Sequence, residues 1–126
     1  MDDLVRLELE HSGLVDITTT GRRTGEPRRI EIAYHSIGGR VFISGMPRED
    51  RKRAWLYNLE ANPTFTFHLK GAVKADLPAT ARVITDVTER RAVLEHVARA
   101  WSRTDLDVMV AYSPLIEVTF QPTTGW

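Results

Sequence analysis

Three segments near the start of the chain alternate apolar and polar residues, and few residues separate them. They are residues 14–20 (LVDITTT), 28–37 (RRIEIAYHSI) and 40–45 (RVFISG). Alternation with a period of two is typical of β-strands that bury one face. The short links cannot hold a crossover helix, so we expect neighbouring strands to run antiparallel. The sequence therefore predicts a three-stranded meander, with Gly38 and Gly39 forming the tight turn between its second and third strands.

Later segments extend this β pattern at residues 64–70, 72–86 and 114–122, and the second of them is interrupted at Pro78. About six strands in a small chain most easily remove their exposed edges by closing into a barrel. A chain of 126 residues can bury one modest core but not two ordinary ones. We therefore expect a single domain over residues 1–126, mainly β (α+β), built as a small antiparallel barrel with two or three flanking helices.

The flanking helices are predicted from apolar residues at helical spacing. A short helix near the start of the chain has Leu4, Val5 and Leu7 as its apolar residues, and a second helix occupies residues 54–61. A third begins after Asp86, which is followed three residues later by a glutamate, the pattern of a capping box. We expect the apolar face of this third helix to pack on the sheet.

Positive charge is concentrated in one part of a chain whose formal net charge is zero. Residues 21–55 carry nine basic and four acidic side chains, and four of the cations lie in the predicted turn GRRTGEPRR, residues 21–29. Glycine lets backbone N–H groups approach an anion, and arginine offers a bidentate fork for phosphate or carboxylate. The turn is either an anion site or a solvated hairpin turn, since neither common glycine-rich phosphate motif occurs in the chain.

Composition disfavours several classes of protein. The absence of cysteine excludes disulfides, thiolate metal sites and cysteine nucleophiles. No apolar run approaches the roughly 20 residues that span a bilayer, and the first residues lack a secretory signal, so we expect a cytoplasmic protein. A two-histidine site from His35 and His68 on facing strands is conceivable, but no metal is predicted. Few aromatic residues interleave with the basic turn, so we expect no nucleic-acid partner.

The basic turn also belongs to a longer, ordered set of motifs. TTGRRTGEPRR at residues 19–29 is followed by a strand that ends at Ser44 and Gly45, then by WLYNLEANP at residues 55–63 and the strand TFTFHL. In order and spacing this set resembles the deazaflavin (coenzyme F-420)-dependent nitroreductase family, and the resemblance is good over residues 14–86. Members of that family are split β-barrel oxidoreductases related to the pyridoxamine oxidases that bind flavin mononucleotide. The resemblance therefore implies an antiparallel split β-barrel.

For function, the resemblance implies hydride transfer from coenzyme F-420 to a small organic acceptor of the nitro or unsaturated carbonyl type. In the family, basic residues of the turn hold the phosphate and polyglutamate tail, and the end of the third strand lies beside the deazaflavin ring. Catalysis would then consist mainly of positioning and exclusion of water, because the cofactor supplies the hydride. No catalytic residue is assigned. Carried over to this chain, the cofactor-binding positions are Arg22, Arg23, Thr24, Arg28, Arg29, Ser44, Gly45, Met46, Ala54, Trp55 and Asn58.

Other functions could use the same barrel. A non-catalytic member could bind a lipid or fatty acid in an apolar groove, and a related barrel could bind flavin mononucleotide or a haem-related group. Trp55 and Trp101 could instead be anchors of the core. The charged run at residues 48–53 is either a solvated loop or a mobile lid over the anion site. The expected partner is a small-molecule substrate, and the expected assembly is a monomer or a homodimer.

Overall fold

The computed structural model describes residues 1–121. The strands pair in the order β1-β2-β3-β6-β5-β4, and β4 pairs again with β1, so the sheet closes into a barrel. All six pairings are antiparallel, which confirms the predicted antiparallel barrel of about six strands. In chain order the elements are α1 (Asp3–Leu9), β1 (Gly13–Thr20), β2 (Pro27–Ile37), β3 (Arg40–Ser44), α2 (Ala54–Ala61), β4 (Thr64–Lys70), β5 (Lys74–Val83), α3 (Val87–Ala100), α4 (Leu106–Tyr112) and β6 (Leu115–Phe120).

The meander of β1, β2 and β3 forms where the sequence predicts it. Gly38 and Gly39 are the two turn residues between β2 and β3, with φ values of 57° and 79°. A two-residue turn with both φ values positive matches the right-handed twist of the flanking strands and favours glycine at both positions. The longer connection between β1 and β2 is the basic turn, and Thr20 pairs with Pro27 at its base.

Two hydrophobic clusters stabilise this barrel. The first fills its interior, where Ile17 and Phe67 are fully buried, and it receives the buried residues of α1 and α2. The second lies where α3 and α4 pack on the barrel, and it includes Phe42 of β3 and Leu94 of α3. Successive side chains of a strand point to opposite faces, so β3 contributes to both clusters and is buried on both sides. This double burial fixes the end of β3, which leads into the candidate site.

The residues described include four helices, one more than the upper limit of the prediction, because α4 follows α3 after a short turn. The third predicted helix, α3, begins at the expected cap: the Asp86 carboxylate accepts a hydrogen bond from the backbone N–H three residues later, at 2.9 Å. The apolar face predicted for α1 is correct at Val5 and wrong at Leu4 and Leu7. Val5 and Leu9, one turn apart, are buried, whereas Leu4 and Leu7 are 65% and 55% exposed. The face that packs on the barrel is therefore the neighbouring one.

The two last strands differ from the prediction in their bounds. Strand β5 is continuous through Pro78, so the predicted interruption is wrong. Pro78 still pairs with Thr66 of β4, but it lies one position beyond Ala79, which forms the final β5–β6 pair with Phe120. A residue without an N–H is tolerated at the end of a ladder. Strand β6 ends at Phe120. Pro122, the predicted last residue of that strand, lies outside the described residues.

Candidate functional site

The basic turn between β1 and β2 is closed by its own backbone. The Gly21 N–H donates to the Glu26 carbonyl and the Gly25 N–H donates to the Gly21 carbonyl, both at 2.8 Å. Gly25 has a φ of 73°, in the left-handed region that favours glycine. A Cβ at Gly21 would lie 3.1 Å from the Glu26 carbonyl oxygen, so the turn has no room there for a side chain. The backbone is therefore compact, and its arginine side chains are exposed around it.

Helix α2 holds this turn in place through one buried side chain. The Arg22 backbone N–H donates to Oδ1 of Asn58 at 3.1 Å. On its other side, Nδ2 of Asn58 donates to Oγ1 of Thr19 at 3.1 Å. Asn58 is only 4% exposed, so both of these bonds are protected from water. The basic turn and the start of α2, which are far apart in the sequence, are thus one structural unit.

Three arginine side chains of the turn are available to a ligand. The Arg22 guanidinium carbon lies 4.9 Å from the centroid of the Tyr57 ring. Arg23 makes no hydrogen bond or ion pair through its side chain within residues 1–121. Arg28 has one carboxylate nearby, that of Glu26 at 3.9 Å, and both side chains are exposed. Exposed ion pairs contribute about 1 kcal/mol at most, so an anionic ligand can compete with Glu26.

Beside the turn lies a cavity of about 370 Å³, here called the turn cavity. Its walls are the basic turn, Thr19 and Ile30 on the flanking strands, and the first turns of α2. The cavity thus has guanidinium groups on one wall and apolar side chains on another. Seven predicted cofactor-binding residues line it: Arg22, Arg23, Thr24, Arg28, Ala54, Trp55 and Asn58.

A neighbouring cavity of about 450 Å³ lies at the end of β3 and is here called the strand-end cavity. The predicted residues Ser44, Gly45 and Met46 line it, together with apolar side chains that include Ile32 and Trp101. The two cavities meet, and the residues that line both are Ile30, Ala54 and Trp55. The two adjacent cavities are together called the groove, and ten of the eleven predicted residues line them.

Arg29 is the predicted residue that lines neither cavity. Its Nε donates to Oδ2 of Asp16 at 3.0 Å, and the same carboxylate accepts from Nζ of Lys70 at 2.7 Å. Side chains alternate along a strand, so Arg28 and Ile30 share the side of the groove while Arg29 lies on the other face of β2. Arg29 therefore belongs to an exposed ion-pair network, which also holds the pKa of the Asp16 carboxyl below its usual range.

The end of β3 is fixed by a contact with the residue before β6. The Ser44 hydroxyl, which is buried, donates to the Pro114 carbonyl at 2.7 Å. A Cβ at Gly45 would lie 3.2 Å from Cγ of Pro114, so the chain approaches closely here. The single hydroxyl proton of Ser44 is thus committed to the backbone. What this segment offers a ligand is the oxygen lone pairs of Ser44 and the backbone of Gly45.

The predicted set omits five groove residues with large side chains, namely Ile30, Glu31, Ile32, Arg53 and Trp101. A signal existed for Ile30, because it lies two residues beyond Arg28 in a strand and so shares its face. Arg53 ends the charged run, and its Nη2 donates to the Met46 carbonyl at 3.0 Å. Trp101 is half-buried at the end of α3. Its place in the groove depends on how α3 packs, which the local sequence does not show.

Two buried histidines lie outside the groove lining. His35 packs edge-on against Trp101 with ring centroids 5.2 Å apart, and burial lowers the pKa of its imidazole. His68 lies between Thr18 and Asp76, with both nitrogen-to-oxygen distances at 2.7 Å, and the contact with Asp76 lowers the pKa of the Asp76 carboxyl.

Within the described part of the chain, no cluster of three or more His, Asp or Glu residues could hold a metal ion. No helix among residues 1–121 is long and apolar enough to cross a bilayer.

The closed antiparallel barrel of six strands is the fold of the split-barrel class, to which flavin and deazaflavin oxidoreductases belong. Within that class, this chain belongs to the F420H(2)-dependent quinone reductase family, whose sequence model matches residues 5–112. Coenzyme F-420 is therefore its cofactor, and hydride transfer from that coenzyme is its chemistry, as predicted. The alternatives of a lipid binder, or of a barrel for another cofactor, are not favoured.

Solved structures of other proteins have the same fold. A conserved hypothetical protein from Mycobacterium tuberculosis matches with a TM-score of 0.76 and 17% identity, over 97% of this chain and 82% of that one. A protein described as an "F420-H2 Dependent Reductase" matches with a TM-score of 0.61 and 20% identity, over 84% and 93% of the two chains. A third, described as a domain-swapped dimer, has a TM-score of 0.64 and 21% identity, over 84% and 79%. At these identities the likeness establishes the fold.

Proposed function

We propose that coenzyme F-420 lies along the groove, with its phosphate and tail at the turn cavity and its deazaflavin ring at the strand-end cavity. The observation that carries this proposal is that the two cavities share three lining residues, Ile30, Ala54 and Trp55. A ligand with an anionic end and a planar ring needs cations at one end of its site and apolar walls at the other. The groove has both, in that order.

At the turn cavity, Arg22, Arg23 and Arg28 supply the positive charge. Their planar guanidinium groups match the oxygen geometry of phosphate and carboxylate. The turn is fixed before a ligand arrives, because Asn58 anchors it from α2 and the Gly21 N–H closes it. A site fixed in advance loses little conformational entropy when it binds. This arrangement supports tight binding of an anionic tail.

At the strand-end cavity, the chain's contribution is to position the reactants and to exclude water. When bound, the reduced coenzyme supplies a hydride, and a proton from solvent completes the two-electron reduction of the acceptor. Trp55 and Ile32 provide apolar walls, and Gly45, which has no side chain, would let a bound ring approach the backbone. The acceptor that we propose is a nitro compound or an unsaturated carbonyl compound. Quinones, for which the family is named, are unsaturated carbonyl compounds of this type.

We also propose that residues 1–126 form a single domain in the cytoplasm, acting on a small-molecule substrate. For the oligomeric state, the prediction is still a monomer or a homodimer. The structural relative described as a domain-swapped dimer gives some support to the homodimer. Size-exclusion chromatography with light scattering measures the molar mass and so distinguishes the monomer from the homodimer.

The proposal is tested by titrating the protein with the coenzyme at low salt and following tryptophan fluorescence, since Trp55 and Trp101 line the groove. Saturable quenching is expected, with a Kd of tens of micromolar or lower. Arg23→Gln should weaken binding about tenfold, the effect of losing one charge-assisted hydrogen bond. It should also reduce the dependence of Kd on salt.

The matched control is Arg99→Gln. Arg99 is exposed on α3 and pairs with Glu95 at 3.6 Å, away from the groove. Its replacement should leave the Kd of the coenzyme unchanged. The absence of saturable quenching, or an equal loss of affinity in Arg23→Gln and Arg99→Gln, would overturn the proposed site. Native mass spectrometry showing only bound acyl chains would favour a lipid binder instead.

A further inference from the structure

A third cavity, of about 430 Å³, adjoins the loop between β3 and α2 and is here called the loop cavity. Loop residues Arg48, Arg51, Lys52 and Arg53 line one side of it. The other side is formed by the end of β5, by Arg90 of α3, and by the segment that joins α4 to β6. The proposed coenzyme positions leave this cavity unused.

Its lining has an excess of positive charge, with five basic side chains and two acidic ones, Glu49 and Glu60. Part of this charge is neutralised locally, because Arg48 pairs with Asp50 and Lys52 pairs with Glu60. Arg53 and Arg90 remain without a carboxylate partner among the described residues, and Arg51 makes no ion pair there, although its charge also acts on the Asp50 carboxylate. A concave surface with unneutralised cations attracts anions more strongly than the same charges on a flat one.

One of these cations is held rigidly. The Arg90 guanidinium donates to the carbonyls of Val110 and Ile84 at 2.9 Å and to that of Ser113 at 2.6 Å. All of its strong partners are neutral, so its charge is fixed in position but is not cancelled. Arginine stays protonated in proteins. Arg90 therefore places a permanent positive charge at the wall of the loop cavity.

A second, independent observation concerns Ser113, a residue that also lines this cavity. Ser113 is 3% exposed, and its Oγ has no hydrogen-bond partner in the structure. Buried hydroxyl groups are nearly always hydrogen-bonded, and this one still has its proton to donate. A ligand oxygen beside Ser113 would accept its proton and would lie next to the charge of Arg90.

The loop cavity also adjoins the proposed coenzyme groove. Arg53 lines both the loop cavity and the strand-end cavity. Its Nη2 donates to the Met46 carbonyl at 3.0 Å and would lie 3.8 Å from a Cβ at Gly45. The side chain therefore stands at the border between the position proposed for the deazaflavin ring and the basic cavity. A molecule bound at the ring can extend a polar group past Arg53.

We propose that the loop cavity binds the oxyanion group, a carboxylate or a phosphate ester, of the molecule that this chain reduces. The acceptor would then be a nitro or unsaturated carbonyl compound that also carries an anionic group, rather than a neutral compound of either type. Arg51 and Arg53 contact the oxyanion, and Arg90 and Ser113 lie at the inner wall. This assignment of the substrate class rests on the proposed function, but the anion site itself can be tested without the coenzyme.

The first experiment uses coenzyme-free protein and two probes, benzoate and phenyl phosphate, with affinity measured from backbone amide shifts in NMR titrations. The largest shifts should fall on residues 48–53 and 111–115. Arg51→Gln should raise the Kd of both probes about tenfold, the effect of one charge-assisted hydrogen bond. Ser113→Ala should also raise it, whereas an unused hydroxyl would leave it unchanged. Whichever probe binds more tightly identifies the preferred oxyanion.

The second experiment compares 4-nitrobenzoate with nitrobenzene as acceptors in the presence of the reduced coenzyme. The carboxylate should raise kcat/KM about tenfold in the wild-type protein, and Arg51→Gln should remove that preference through KM. The Kd of the coenzyme should be unchanged in Arg51→Gln, because Arg51 lines neither part of the groove.

The outcomes separate this inference from the proposed function. If the coenzyme does not bind but the probes do, the anion site stands and the proposed function fails. If the probes bind equally well to Arg51→Gln, or shift residues elsewhere, the anion site is wrong. If Arg51→Gln weakens the coenzyme instead, the loop cavity holds the coenzyme's own anionic tail, and the inference about the acceptor is overturned.

Discussion

The Arg22 backbone N–H and the Asn58 side-chain oxygen, 36 positions apart in the sequence, form a hydrogen bond of 3.1 Å. Because Asn58 also donates to Thr19, one buried amide connects the base of the basic turn, the turn itself and helix α2. Two motifs that look separate in the sequence are therefore parts of one wall of the groove. The position of the turn arginines depends on this amide.

Replacing Asn58 should affect both stability and ligand affinity. Asn58→Ala removes two buried hydrogen bonds and leaves the Arg22 N–H without its partner, so the free energy of unfolding should fall by about 2 kcal/mol. The Kd of coenzyme F-420 should rise several-fold, because the turn loses its anchor. Urea denaturation and fluorescence titration measure the two effects. Asn62→Ala is the control, since Asn62 is exposed and makes one local bond to Thr64; an equal effect at Asn62 would contradict this account.

The ring of Tyr57 should position Arg22. The Arg22 guanidinium carbon lies 4.9 Å from the ring centroid, and Nζ of Lys52 lies 4.8 Å from it. Exposed cation–π contacts contribute about 0.5 to 1 kcal/mol, so Tyr57→Leu should raise the Kd of the coenzyme roughly twofold to fivefold. Tyr57→Phe keeps the aromatic face and should bind as the wild type does. A loss of affinity in Tyr57→Phe would instead point to a role for the hydroxyl.

The barrel could be predicted because its signals are local. Alternation identifies the strands, and Gly38 with Gly39 can form the two-residue turn that their φ values require. The short helix α1 shows the limit of local signals. Its seven residues contain several apolar side chains, and only docking against the barrel selects Val5 and Leu9 as the buried pair. Local spacing cannot make that choice, because it depends on the surface to which the helix docks.

The groove could be predicted in part for the same reason. Sequence motifs predict the basic turn and the end of β3 as parts of the site, and the structure brings these two segments together. Arg29 lies outside the groove because its guanidinium pairs with Asp16 of β1, a contact that the motif itself does not reveal. The loop cavity could not be predicted, since Arg53, Arg90 and Ser113 come from three distant segments. Only the packing of α3 and α4 on the barrel places them together.

The absence of a side chain at Gly21 should be necessary for the shape of the turn. A Cβ there would lie 3.1 Å from both the Glu26 carbonyl oxygen and Oγ1 of Thr24, so Gly21→Ala must displace the backbone. The expected loss of stability is about 1 to 2 kcal/mol, with weaker binding of the coenzyme. In Gly71→Ala the new Cβ would meet only the end of the Glu8 side chain, at 3.4 Å, and stability should stay within about 0.5 kcal/mol of the wild type. Thermal unfolding of both variants tests the contrast.

The carboxylate of Glu117 should make stability depend on acid pH. It accepts hydrogen bonds from Arg40 at 2.7 Å and Arg82 at 2.8 Å, which lower its pKa from 4.5 to about 2. A carboxyl whose pKa is lower in the folded state stabilises the protein above its unfolded pKa and loses that contribution as the pH falls through the folded value. Between pH 4.5 and about 2, the wild type should therefore lose roughly 1 kcal/mol more than Glu117→Gln, since solvent screens the exposed arginines. Urea denaturation at a series of pH values measures the free energy of unfolding, and the same pH dependence in the wild type and in Glu117→Gln would contradict this expectation. The control is Glu95→Gln, in which the free energy of unfolding should depend on pH as it does in the wild type.

The four hydrogen bonds from Arg90 to backbone carbonyls should stabilise the C-terminal end of α4. The carbonyls of Met109 and Val110 belong to the last turn of that helix, and Arg90 donates to both. The Met109 carbonyl also accepts from the Ser113 N–H at 2.8 Å, whereas Val110 has no such helical partner because the residue four positions later is Pro114. Lysine has three donors on one nitrogen and cannot reproduce the spread of the guanidinium fork, so Arg90→Lys leaves buried carbonyls unpaired.

The free energy of unfolding should fall by about 2 to 3 kcal/mol in Arg90→Lys. The neighbouring Arg91 is a matched control, because its contact is an exposed ion pair with Asp107 at 2.9 Å, and Arg91→Lys should change stability by less than about 0.5 kcal/mol. Amide exchange should accelerate in α4 of Arg90→Lys before it does so in the barrel strands, since the lost contacts are at the end of that helix. If both lysine variants were equally stable, Arg90 would not be the residue that fixes α4, and the inner wall of the loop cavity would need another support.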